Sequence, residues 1–113
     1  MVVHQMKLAK EPFDKIANEQ KVIESRLFDE KRQVINIGDE IEFSQNDDST
    51  KTVKTKVKAL YRYDSFDHLF ADFPPEYFGG ASREFLIEEI NQFYPKEEQV
   101  KYGVVGIKIE LEK

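Results

Sequence analysis

The sequence predicts a mixed α+β fold: a small, strongly bent β-barrel with flanking helices. Some stretches alternate apolar and polar residues with period two, as half-buried strands do, while others repeat at three and four residues, as amphipathic helices do. Their order is a helix between early strands, a run of strands, two helices and a closing strand. The strands are short, which suits a bent sheet or partly closed barrel whose openings the helices cover.

His4 to Leu8 reads as a short extended segment, and Pro12 then falls in a first helical turn, where its missing N–H costs little. Phe13, Ile16 and Ala17 form one face of that helix, which should end near Asn18 to Gln20, with Asn18 in the left-handed turn. Lys21 to Phe28 is strand-like. It places Ile23 and Leu27 on one face and Val22, Glu24, Arg26 and Phe28 on the other. Asp29 to Arg32 begins a turn or short helix, and Gly38-Asp39 turns the chain into a strand from Glu40 to Ser44.

The polar stretch from Gln45 to Thr52 reads as an exposed hairpin connection to a long strand from about Val53 to Tyr63. In that strand Val53, Thr55 and Val57 alternate with Lys54, Lys56 and Lys58. The lysine row is either a solvated face protecting an edge strand or a track for phosphates. Ser65 caps a helix holding Phe66, Leu69 and Phe70. Pro74-Pro75 breaks the chain, and Glu76 to Gly80 makes an aromatic, glycine-containing loop. Ser82 then caps a helix that presents Phe85, Ile87, Ile90, Phe93 and Tyr94 up to Pro95. Gly103 to Leu111 is the closing strand, with Val105, Ile107, Ile109 and Leu111 alternating against Gly106, Lys108 and Glu110.

A length of 113 residues matches a single domain spanning 1–113, and 40% hydrophobic with 35% charged residues is a globular composition. A formal charge of -5 argues against broad duplex nucleic-acid binding but leaves room for a local basic cleft. With no cysteine the chain has no disulfide or zinc-thiolate framework, which suits a reducing compartment. The start of the chain lacks a signal-peptide pattern and no apolar run approaches the ~20 residues of a membrane span. The expectation is a cytoplasmic protein without membrane association. His4 and His68 lack metal-ligand spacing, and no phosphate loop or dinucleotide fingerprint occurs, so no metal or cofactor is expected.

The candidate site is the stretch from Asn18 to Arg26, because three charges interrupt a core-like strand and are costly to bury unless paired or lining a wet cavity. Glu24 and Arg26 share a face and form either a structural ion pair or the floor of a cleft. Strict alternation sets Lys21 opposite Glu24. Lys31 and Arg32 are secondary candidates for phosphate, beside Asp29 and Glu30. Among the rings near loop or strand ends, Tyr77 is the preferred one for stacking on a base.

These segments together resemble the ASCH domain family, whose fold is a β-barrel related to PUA domains. The resemblance rests on K-V-I-E-S-R at 21–26, similar to the family pattern G-x-K-x-x-E-x-R; on G-D-E-I-E-F at 38–43; on A-L-Y-R-Y ending the long strand; on S-F-D-H-L-F at 65–70; and on the closing V-V-G-I-K-I-E-L. It covers nearly the whole chain. The glycine that usually precedes the lysine is Glu19 here. The resemblance implies a charged cleft holding Lys21, Glu24 and Arg26 and suited to RNA or a nucleotide-like small molecule.

A similar small bacterial branch hydrolyses the amide of N4-acetylcytidine with a lysine, a threonine and a glutamate. Lys21 matches the lysine, Glu24 stands at the threonine position, and Glu76 is the acidic residue nearest the third. The leading expectation is a binding module for RNA or a nucleotide. The alternative is an amidohydrolase or nuclease acting on modified nucleosides or RNA, with Lys21 as base or electrostatic stabiliser, Glu24 as acid or base, and Glu76 or Tyr77 as third partner. A third possibility is a regulatory protein that binds a protein partner through its aromatic loop.

Overall fold

A computed structural model describes residues 2–113; Met1, the first residue of the expected 1–113 domain, lies outside the described residues. The strands are β1 (Val3–Leu8), β2 (Ile23–Leu27), β3 (Glu40–Gln45), β4 (Asp48–Tyr63) and β5 (Val104–Leu111). They form one sheet in the order β1-β3-β4-β5-β2, with β1 parallel to β3 and the other neighbours antiparallel. The sheet curls into a half-barrel flanked by helices, as the alternating patterns predict.

Alternation along β5 explains the two core layers. Val105, Ile107 and Ile109 point into one cluster with Met6, Phe13, Ile16, Ile41, Phe43 and Val57, inside the curl and under helix α1 (Lys10–Ala17). Val104 faces the opposite side, where Ile23 and Leu27 of β2 pack against Phe66, Leu69 and Phe70 of α3 (Phe66–Ala71) and Leu86 of α4 (Arg83–Asn91). Gly106 lies on this second face, and a Cβ there would come within 2.8 Å of Leu69 Cδ1. The missing side chain lets α3 approach the sheet closely.

A β-bulge at Lys58 bends β4: Val57 pairs with Ile109 and Ala59 with Lys108, leaving Lys58 as the extra residue. The extra residue also keeps Leu60 on the inner face as Val57 is, because Leu60 pairs with Ile107.

Several sequence expectations are corrected. The connection between β3 and β4 is only the Asn46-Asp47 turn, because Asp48 to Thr52 already belong to β4; pairing with β3 draws this polar segment into the ladder. Asn18 has φ -93, and it is Glu19 that takes the left-handed conformation, at φ 62. The aromatic loop is a 3-10 helix over Pro75–Phe78. The helix from Ser82 stops at Asn91, short of Phe93 and Tyr94, and a further helix, α5 (Lys96–Tyr102), precedes β5. The charged segment at 29–32 does form a short helix, α2 (Glu30–Gln33), capped by Asp29. No helix among the described residues is long and apolar enough to cross a membrane.

Candidate functional site

β2 is an edge strand, and its residues Glu24 and Arg26 stand opposite Ile107 and Val105, which places both side chains on the inner face of the curl. Lys21 lies two residues before the strand begins, so strict alternation does not bind it. Its N–H donates to Lys15 O at 3.1 Å, closing the turn after α1. Gly79, at φ 81, lies so close that a Cβ would meet Lys21 Cβ at 3.2 Å. Lys15 Nζ in turn donates to Gly79 O at 2.6 Å and fixes that loop. The Lys21 stem is therefore packed between the 3-10 segment and the strand, and its ammonium reaches Glu24 Oε1 at 2.9 Å.

Arg26 Nε donates to the other Glu24 oxygen, Oε2, at 2.7 Å, so each oxygen of one carboxylate holds one cation. Glu24 is 3% exposed. Burial alone would raise its pKa, but the Lys21 and Arg26 charges outweigh burial and hold it down at about 2. Arg26 is pushed upward: burial opposes its charge, while Glu24 and the Tyr94 phenol beside it more than compensate. Arg26 Nη2 also donates to Lys7 O at 3.1 Å. Lys7 belongs to β1 at the far edge of the sheet, so this bond spans the seam at which the half-barrel stays open.

A cleft of about 290 Å³ lies along that seam. Lys21, Glu24 and Arg26 form its charged part, Phe70, Phe78, Leu86, Phe93 and Tyr94 its apolar wall, and Asn46 and Glu89 bring polar groups to it. Two cations around one carboxylate leave one positive charge in excess, and Lys7 and Glu89, the other charged residues lining the cleft, offset each other. Held in a partly apolar cavity, that charge favours an anion or a polarised carbonyl, and the rings offer a planar ligand a stacking surface. A wider groove of about 530 Å³ sits at the other end of β2 between Phe28, Arg62 and Lys101. Its charged residues are exposed, so it lacks the focused charge of the seam.

The other sequence candidates lie elsewhere. Tyr77 is exposed and lines a separate cleft of about 360 Å³ on the far side of Lys21; its carbonyl accepts from Val22 N at 2.8 Å. Glu76 is exposed beside it and does not line the seam cleft. Arg32 Nη1 is paired with Asp29 Oδ2 at 2.9 Å, and Lys31 is exposed on α2; neither lines the seam cleft. In the lysine row, Lys54 stands opposite Glu42, and Lys56 opposite Glu40 and Glu110. That pairing makes the row a mixed-charge outer face. Sequence reasoning missed Tyr94, Glu89 and Ser25 as cleft residues. Only the contact between Arg26 and Tyr94 in the segment after α4 identifies the first, and no local pattern encodes it.

A family model described as ASCH domain matches residues 6–113. The chain is similar to a crystal structure of hypothetical protein PH0355, at 37% identity and a TM-score of 0.87, over 98% of this chain and 100% of that one. A solution NMR structure of protein PF0455 from Pyrococcus furiosus matches at 37% identity and a TM-score of 0.79, over 99% of each chain. The fold is shared at much lower identity, 14%, with an ASCH domain from Lactobacillus crispatus, with a TM-score of 0.64 over 96% of this chain and 79% of that one. No protein of curated function matches the chain.

Proposed function

The chain belongs to the ASCH domain family, and from that premise we propose that it is a binding module that takes one nucleotide unit of RNA, or a free nucleotide-like molecule, into the seam cleft. Lys21 and Arg26 contact the phosphate or a base carbonyl, and Glu24 holds the two cations in place. The observation that carries this reading is the engagement of both Glu24 oxygens by two cations, which leaves one excess positive charge against an aromatic wall. The cavity of about 290 Å³ suits one compact ligand; pockets for drug-sized molecules run from roughly 300 to 1,000 Å³.

Binding is favoured over turnover because a carboxylate held at about 2 is a poor proton acceptor near neutral pH. The third partner that a hydrolase would draw from Glu76 or Tyr77 also stands outside the cleft.

The test is calorimetric titration of uridine, cytidine, adenosine and guanosine 5′-monophosphates into wild type and Lys21→Met. This variant removes the excess charge while Arg26 still pairs with Glu24. A loss of affinity of at least tenfold in Lys21→Met, with no product in the titrated samples, is expected. Equal affinity of the two proteins would overturn the reading, and appearance of product would move the protein to the hydrolase class.

A further inference from the structure

The main chain of β2 carries a second recognition element that side-chain motifs do not show. Phe28 N donates to Gly103 O at 3.0 Å, and Ile109 N donates to Val22 O at 2.9 Å, which fixes the phase of the β2–β5 ladder. In an antiparallel pair the hydrogen-bonded positions alternate. Glu24 and Arg26 therefore turn their N–H and C=O toward β5, as the Val22 carbonyl and the Phe28 N–H do, and Ser25 turns both of its groups away from it. Among the described residues no strand lies on that side, since β2 is the edge of the sheet. Ser25 nonetheless lines the seam cleft and is only partly exposed. An N–H and a C=O in a half-enclosed cavity need partners.

We infer that the Ser25 main chain pairs with the imide edge of a uracil-type base held in the seam cleft. This deepens the nucleotide reading above and rests on it. An imide presents acceptor, donor, acceptor in a row. The ring N–H donates to the Ser25 carbonyl, one flanking carbonyl accepts from the Ser25 N–H, and the second is left facing the Lys21 and Arg26 charge. The other bases fit less well. Guanine sets an amino donor where the cations need an acceptor, and cytosine and adenine lack a ring N–H on this edge.

A peptide strand adding to β2 is the competing occupant of any free edge. Space and charge favour the base. The cavity is about 290 Å³, α4 and the Lys7–Ala9 segment border it on two sides, and the Val22 N to Tyr77 O bond caps the edge at its start. A run of several residues has no room there, and an excess positive charge suits carbonyl oxygens.

The experiment titrates the full chain with uridine, N3-methyluridine, cytidine and guanosine 5′-monophosphates, and repeats the uridine nucleotide on Ser25→Pro. Proline removes the N–H that points out of the sheet, together with the hydroxyl and the freedom of φ, at a position where edge strands tolerate the ring. Uridine nucleotide is expected to bind at least tenfold more tightly than the other three, and Ser25→Pro to lose at least tenfold while β2–β5 amides stay protected from hydrogen exchange.

Equal binding of uridine and N3-methyluridine nucleotides, with Lys21 dependence intact, would overturn this inference and leave the nucleotide reading standing. Absence of binding by any nucleotide would overturn both. Should Ser25→Pro fail to fold, the N3-methyl comparison in wild type decides alone.

Discussion

Glu24 is the residue on which the cleft depends, because it is the shared partner of two partly buried cations. Its carboxyl is held at about 2, below the ordinary glutamate value of 4.5. A depressed pKa means that the folded state holds the ionised form more tightly than the unfolded chain does. The resulting stability is fully present above the unfolded value and is lost as pH falls through the folded one, on the order of 3 kcal/mol. Denaturant melts of wild type should therefore weaken steeply between pH 4.5 and 2, and Glu24→Gln should show a flatter dependence there, starting about 3 kcal/mol less stable at neutral pH. Asp39, held low chiefly by its bond from His4, titrates alike in both proteins, so the difference isolates Glu24. Parallel pH curves would show that the two cations do not hold the carboxylate as described. The shared face of Glu24 and Arg26 was legible in the sequence because both lie within a regular strand. Lys21 was not legible on the same grounds, since its approach depends on the turn before β2 and on the close packing of Gly79.

At the scale of elements, the turn joining α1 to β2 carries local strain. Glu19 sits at φ 62, where an L-residue with a Cβ is disfavoured by roughly 1–2 kcal/mol, and its side chain makes only an exposed pair with Lys113 at 3.3 Å. Glu19→Gly should raise stability by about 1 kcal/mol in chemical denaturation, the relieved strain exceeding the added chain entropy. A loss of stability would mean that the Lys113 pair or the helix end matters more than the backbone. Strands and capped helices were readable because Ser65 and Ser82 hold the first turns of α3 and α4, and β5 alternates buried and exposed residues from Ile107 to Glu110. α5 escaped notice because it offers little apolar periodicity. Gln99 is its buried residue, and its amide reaches Asn91 and Tyr94 while its carbonyl accepts from Phe66 N. A polar side chain anchoring a helix leaves no hydrophobic trace to read.

Over the whole molecule, the net charge of -5 and the placement of Lys54 and Lys56 opposite glutamates argue against a long basic track, and on the proposed reading the seam cleft supplies the positive charge. Binding of a short single-stranded RNA should then release counterions for about one phosphate, giving a slope near -0.7 in log affinity against log salt concentration. Titrations at three ionic strengths measure this, and a slope steeper than about -2 would require a longer basic track than the seam provides. The sheet order has a further consequence for how the protein is made. β2 pairs only with β5, joining Ile23 to Lys108 across most of the chain. During synthesis the early charged segment emerges long before the strand that fixes it. Lys21, Glu24 and Arg26 therefore cannot be gathered into a cleft until residues 104–111 have left the ribosome, and a nascent chain shorter than that carries the residues of the candidate site without the cleft that holds them.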